Sequence, residues 1–348
     1  MGEGWDGGRD GCDARGRRDG VGGHDGLDGL GGHDRLTELD GRGEVDRRDG
    51  FREVDGLDGF REVQRLAYAC AEAVAAELRP GMTERDAAHA MRVWARERGV
   101  RDWFHLPFAW FGDRTAFTGF KVPLQFFPTG RRLEPGMPFI LDLAPVYAGC
   151  TADVGYSGSL GPNPVQERLM ADLREHRELI LRGVRERRPL RTVYQDVDRL
   201  MVRQGYANRH RAYPFGVIAH KVDRVRERRW SPRIAGFGTR SLKGLASDAL
   251  HGHREGWSPL WSPHRMSDHP PYPGLWAVEP HVGFRGTGAK FEEILVVTET
   301  GAYWLDDDLP HVRRWRETDA DTRTGSMSRS RMGTGTESSS GTGTGVAA

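Results

Sequence analysis

Between Val63 and Leu78 the apolar positions Val63, Leu66, Ala67, Cys70, Val74 and Leu78 recur at helical spacing, which predicts an amphipathic helix ended by Pro80-Gly81. Thr83, with Asp86 three residues on, predicts the cap of a second helix through Ala87, Met91 and Trp94, stopping near Gly99. A similar pair follows. Leu169, Leu173, Leu179 and Ile180 mark one helix, broken at Pro189. Thr192 with Gln195 forms a capping-box pattern for another, through Val197, Leu200 and Met201 to Gly205. The same succession of helix, Arg-Pro break, Thr cap, helix and Gly stop suggests two related halves, although caps and breakers also recur by chance. Strands follow each pair: Phe139 to Leu143, Thr151 to Ser157, and Lys290 to Thr298, the last rich in Val, Ile and Leu.

The pattern fades at both ends. The chain to about Leu57 is built from Gly, Asp and Arg and lacks the apolar surface to offset its ordering entropy. It carries a short repeat, Asp49-Gly50-Phe51-Arg52-Glu53-Val54 and Asp58-Gly59-Phe60-Arg61-Glu62-Val63, whose second copy runs into the first helix. From about Thr318 the chain is Gly, Ser, Thr and Arg. The expected organisation is a disordered tail over 1–58, one folded domain over 59–317, and a second disordered tail over 318–348.

Bulk properties narrow the function classes. The 348 residues carry 51 Lys and Arg against 50 Asp and Glu, so net charge gives no reason to expect nucleic acid or a membrane as partner. Cys12, Cys70 and Cys150 show no paired spacing, which argues against a disulfide framework and suits a reducing compartment. No secretory signal and no membrane-length apolar run is visible, and the expectation is a soluble cytoplasmic protein. Gly283, Gly286 and Gly288 precede a strand, not a helix, and so form no dinucleotide loop. Gly155-Tyr156-Ser157-Gly158-Ser159 is not followed by the helix start a nucleophile elbow needs.

Four acids stand in apolar strand surroundings: Asp142, Asp153, Glu279 and Glu292. A buried carboxylate costs several kcal/mol unless it is paired or holds a cation. A hairpin turning near Tyr147-Ala148 would set Asp142 and Asp153 opposite each other, and a divalent cation is the usual relief for two like charges so placed. Two readings stay open on these residues alone: a metal site, and exposed acids at sheet edges.

The segment Leu133-Glu134-Pro135-Gly136-Met137-Pro138-Phe139-Ile140-Leu141-Asp142-Leu143 resembles the Gly turn and first aspartate-bearing strand of the pita-bread metallopeptidases: methionine aminopeptidases, Xaa-Pro aminopeptidases, prolidases and creatinase. The step from Asp142 to Asp153, the segment Trp276-Ala277-Val278-Glu279-Pro280 and the strand from Lys290 to Gly301 are similar to that family's remaining metal-binding segments. The resemblance covers most of residues 60 to 310. It implies an α/β (α+β) pita-bread fold of two pseudo-symmetric halves, each of helices plus antiparallel strands. It implies Asp142, Asp153, Glu279 and Glu292 as metal ligands, with Glu292 preferred to Glu293. His220 is implied as a catalytic residue that donates to the developing oxyanion, and Glu279 as proton carrier as well as ligand.

The resemblance also shows departures. Tyr213 stands where the family's metal-binding histidine belongs, with His210 three residues earlier. No histidine near Lys121-Val122-Pro123 matches a further family position, and His105 reads as an ordinary core or surface histidine. The implied ligands are then all oxygen, which favours Mn²⁺ or Mg²⁺ over Zn²⁺ or Co²⁺, as one or two ions. About sixty residues separate His220 from Glu279 and contain His251, His253, His264 and His269, a basic run from Lys221, and an aromatic stretch from Trp257 to Tyr272 expected as a lid or pocket wall. The expected function is metal-dependent hydrolysis of an amide bond in a small peptide or amino-acid-derived substrate, with a homodimer allowed. The alternative is a metal-free relative, either creatinase-like or a binding module.

Overall fold

The computed structural model describes residues 56–226 and 232–320. The first half opens with helices α1 (Leu57–Glu77) and α2 (Glu84–Glu97). Val63, Ala67, Cys70 and Val74 form the buried stripe of α1. Thr83 caps α2 reciprocally: its hydroxyl accepts from the Asp86 N–H, and the Asp86 carboxylate accepts from the Thr83 N–H. The second half opens with α3 (Pro164–Arg185) and α4 (Leu190–Gln204), and α4 ends on Gly205 at φ 77°. Here one expectation fails. The N-cap of α4 is Pro189, so Thr192 lies inside the first turn and forms no capping box. Pro189 both ends the preceding connection and starts the next helix. A fifth helix, α5 (Thr239–Glu255), lies in the long segment between His220 and Glu279.

Strands β1 (Asp102–Phe111), β2 (Pro138–Tyr147), β3 (Cys150–Thr151) and β4 (Val154–Ser159) make the first sheet, which β7 (Arg233–Ile234) and β8 (Phe237–Gly238) extend beyond β1. The turn between β2 and β3 is Ala148-Gly149, both at positive φ, with Tyr147 opposite Cys150. This is the two-residue hairpin geometry that matches strand twist. The second sheet has the order β14-β13-β10-β6-β9, from Ala302–Trp304, Glu293–Val297, Gly274–Val278, Ala219–Val222 and Leu260–Trp261. A small third sheet joins β12 (Thr287–Lys290), β11 (His281–Phe284) and β5 (Ala207–Asn208). The stretch from Lys290 to Thr298, expected as one strand, is therefore two, which separate at Phe291-Glu292 and pair in different sheets.

α1 packs against β2 and β4 and α3 against β12 and β14, and one continuous core runs from Ala67 and Met91 through Leu141, Leu173 and Val197 to Trp276 and Leu295. The succession of two helices followed by antiparallel strands, made twice, is the α+β architecture of paired halves that the resemblance implies. Leu57 and Asp58, counted with the first tail, form the first turn of α1. Residues 310–320 are helical, so the described chain runs three residues past 317. The rest of both expected tails, and the repeat copy at Asp49, lie outside the described residues. Among the described residues no helix is long and apolar enough to cross a membrane.

Candidate metal centre

The inner ends of the two large sheets bring six buried side chains together. Asp142 comes from the middle of β2, and Asp153 from the step between β3 and β4. His220 lies on β6, Glu279 just past β10, and Glu292 just before β13. The sixth is His105 on β1, where two register shifts against β2 mark a bulge that re-aims the strand. Atoms of His105, Asp142 and Asp153 lie within 4.8 Å of one another, as do those of Asp153, His220 and Glu292, and those of Asp142, Glu279 and Glu292.

A seventh side chain fills the third of these corners. Lys290, at the end of β12, is fully buried, and its Nζ lies 2.6 Å from Asp142 Oδ2, 2.7 Å from Glu279 Oε2 and 2.9 Å from Glu292 Oε2. Tyr213 completes its surroundings, with the hydroxyl 3.1 Å from Nζ. An ammonium has three N–H donors, and they go to Asp142, Glu279 and Tyr213. Glu292 feels the charge but is not aligned for a hydrogen bond, and neither of its buried oxygens has a hydrogen-bond partner. The neighbouring Glu293 faces the other way and is held by Arg177 at 2.6 Å and His311 at 3.2 Å.

Each imidazole is oriented by the carbonyl of the residue that follows it. His105 Nδ1 lies 2.9 Å from Leu106 O, and His220 Nδ1 lies 3.2 Å from Lys221 O. Both Nδ1 atoms thus donate to backbone, and both Nε2 atoms face Asp153, at 3.1 Å and 3.2 Å. Fixing the far nitrogen in this way is the arrangement that presents Nε2 to a cation. Phe104 stacks on the His220 ring at 4.9 Å, and Phe108 stacks on His105 at 4.9 Å.

The electrostatics follow from burial and crowding. Burial pushes His105 down, but the charge and hydrogen bond of Asp153, with Asp142 behind it, raise it to about 9. His220 is raised against burial by the same Asp153. Burial opposes ionisation of Asp153, yet His105 and His220 hold it below the usual carboxylate range. Glu292 goes the other way: burial, then the charges of Asp153 and Glu279, push it well up. Glu279 is raised by burial, against the pull of Lys290. Lys290 is raised well above an ordinary lysine, because Asp142, Glu279 and Glu292 outweigh burial.

The structure brings all four sequence-predicted acids and His220 into one cluster. It adds His105 and Lys290, which the sequence reading left out. Tyr213 stands at the Lys290 corner, and burial, with Glu279 next, holds its hydroxyl well above the usual phenol range. The Tyr213 hydroxyl lies 3.5 Å from His281 Nδ1, and His281 Nε2 donates to Thr115 O at 2.8 Å. His210 is buried beside Asn208 and outside the three groups. None of His251, His253, His264 and His269 belongs to them either, among the described residues. The aromatic stretch is held by its own contacts, and Leu260 of it pairs with His220. Trp257 stacks on Tyr272 at 4.1 Å, and Trp261 binds the Leu190 carbonyl against α4.

This fold has counterparts among known proteins. The sequence pattern of metallopeptidase family M24 matches residues 58–299. The chain belongs to metallopeptidase family M24. Comparison with curated proteins gives no match. Among solved structures, an X-Pro aminopeptidase from Thermotoga maritima is similar, with TM-score 0.53 and 15% identity over 73% of this chain and 61% of that one. A prolidase from Thermococcus sibiricus is similar with TM-score 0.53 and 17% identity, over 73% of this chain and 60% of that one. A prolidase from Pyrococcus furiosus gives 0.51 and 16% over 72% and 63%. At these identities the likeness is one of fold, and this M24 chain spans about three fifths of each of those structures.

A divalent ion fits this M24 cluster unevenly. Around Asp153, His220 and Glu292 the donors suit a cation: an oriented imidazole nitrogen, an ionised carboxylate and a buried carboxylate without a hydrogen bond. At Asp142, Glu279 and Glu292 the ammonium of Lys290 already occupies the space between the oxygens. The expected donor set is all oxygen; in the structure His220, with a ring nitrogen near Asp153 and Glu292, also lies in the cluster. An imidazole among the donors suits Zn²⁺ and its first-row neighbours as well as Mn²⁺.

Proposed function

We propose that this M24 protein hydrolyses an amide bond in a small peptide or amino-acid-derived substrate, using a divalent ion held by Asp153, His220 and Glu292. The observation that carries the reading is Glu292, a buried carboxylate with no hydrogen-bond partner, within 4.8 Å of Asp153 and the oriented His220. The Lys290 ammonium lies 2.9 Å from one of its oxygens without forming a hydrogen bond, and a buried carboxylate held so incompletely gains from a further cation. When bound, the ion supplies Lewis acidity, polarising the carbonyl and acidifying water.

The chain's own residues supply the rest. Glu279, raised by burial, is suited to take a proton from the attacking water and return it to the leaving amine. The resemblance implies His220 as an oxyanion donor; its fixed tautomer favours holding the cation instead. His105 keeps a positive charge between Asp142 and Asp153 and holds both carboxylates in place. A cavity of about 210 Å³ adjoins His220 through Phe104 and is lined by Lys221, Arg224, Arg226 and Arg240, with Asp223 beside Lys221. It would suit the carboxylate end of a short peptide.

The test is hydrolysis of a panel of dipeptides and short peptides, Xaa-Pro sequences included, with divalent ions or with chelator. Expected is cleavage that needs the ion and disappears in Asp153→Asn. A second reading, a metal-free hydrolase, is favoured by the Lys290 ammonium inside the carboxylates. It predicts cleavage that survives the chelator.

A further inference from the structure

We infer that Lys290 is a built-in cation that permanently fills the corner formed by Asp142, Glu279 and Glu292, so that the protein takes a single divalent ion, at Asp153, His220 and Glu292. The inference rests on the metal-holding half of the proposed function and not on its amide-bond half.

The lysine is placed by the fold at three points along its length. Its backbone is clamped by Ser157 of β4, whose hydroxyl donates to Lys290 O at 2.7 Å and accepts from Lys290 N at 2.9 Å. Its stem runs over Gly155, the residue opposite Asp142 in the β2–β4 register; a Cβ there would come within 2.1 Å of Lys290 Cε. Its head spends all three donors on Asp142, Glu279 and Tyr213. Nothing is left to present to a substrate, so Lys290 is a positioning residue and not a nucleophile or base.

An ion in the same corner would need those carboxylate oxygens at about 2.0–2.2 Å. Nζ already stands 2.6–2.9 Å from them, so ion and ammonium exclude each other. The opposite side of the cluster is different. Glu292 has no hydrogen bond there, and Asp153 is reached by two oriented imidazoles. Charge balance allows this arrangement: four carboxylates against one ammonium and one divalent ion leave a single negative charge, which lies beside His105.

Ions bound per chain are counted by native mass spectrometry and equilibrium dialysis, with Mn²⁺ and Co²⁺ alone and no substrate, on the full chain. Wild type should saturate at one ion. Lys290→Met, which keeps the stem and removes the charge, should take two and show the larger metal-induced rise in melting temperature. If that variant folds only when refolded with Mn²⁺, the recovered protein should still carry two. Zero or two ions in wild type, or one ion in both proteins, overturns the inference. One ion and no peptide cleavage would sink the proposed function and leave this inference standing.

Discussion

Gly155 and Lys290 are matched in shape: a Cβ on Gly155 would stand 2.1 Å from Cε and 3.1 Å from Cδ of Lys290. The lysine cannot swing away, because its ammonium is tied to two carboxylates and its backbone to Ser157. Gly155→Ala should therefore destabilise the protein by about 1–3 kcal/mol, the usual cost of overpacking a filled interior. Urea denaturation measures it. A midpoint unchanged from wild type would mean that the stem is free to move.

Glu292 and Glu293 are neighbours with opposite duties. Glu293→Ala strips the partner from largely buried Arg177, which keeps only Asp307, and should cost about 3 kcal/mol. Glu292→Gln removes a carboxylate that has no hydrogen bond and should leave metal-free stability within about 1 kcal/mol of wild type. It should abolish the thermal shift caused by metal. Equal losses of stability in the two variants would refute this division.

Tyr213→His is the substitution that would restore a nitrogen at the place the family resemblance marks. The Tyr213 hydroxyl accepts from Lys290 at 3.1 Å, so a histidine there meets an ammonium and not a metal. Alone it should leave metal affinity unchanged. Combined with Lys290→Met it should bind the second ion more tightly than Lys290→Met by itself. Calorimetric titration with Co²⁺ would show both results, and a tighter ion in the single variant would contradict them.

Acid should weaken the fold through His176, between α3 and α4. Its Nε2 donates to Gln204 Oε1 at 2.8 Å, and its buried Nδ1 has no partner. Burial lowers this histidine from 6.5 to about 4. A histidine lowered on folding stabilises fully above its unfolded value, and that contribution is lost as pH falls from about 6.5 to about 4. The share is roughly 3 kcal/mol. His176→Asn should flatten the acid limb of a stability-against-pH curve. His210 and His281, lowered well below the ordinary value by burial, would keep part of the slope.

Much of the fold was legible because its signals are local. Helical spacing found α1 to α4, and the Thr83–Asp86 cap needs only four residues of sequence. The acids stood out because Asp142 and Glu279 interrupt apolar runs. Lys290 could have been noticed on the same grounds: two residues before Glu292, it falls on the same face of an extended chain. His105 could not. A bulge beside Leu106-Pro107 turns that part of β1, and strand alternation does not foresee a bulge.

The sequence by itself therefore determined helices α1 to α4, three of the strand segments, and the four acids, and it placed Tyr213 where the resemblance expects a histidine. Each is written in nearest-neighbour chemistry or in the resemblance of short segments. Only the tertiary structure decided what balances those acids, because the answer lies in groups far apart along the chain. Lys290 reaches Asp142 from 148 positions away, and His105 meets Asp153 across 48. Which cation a buried carboxylate finds depends on what the fold carries within about 4 Å of it, where the Coulomb energy is largest.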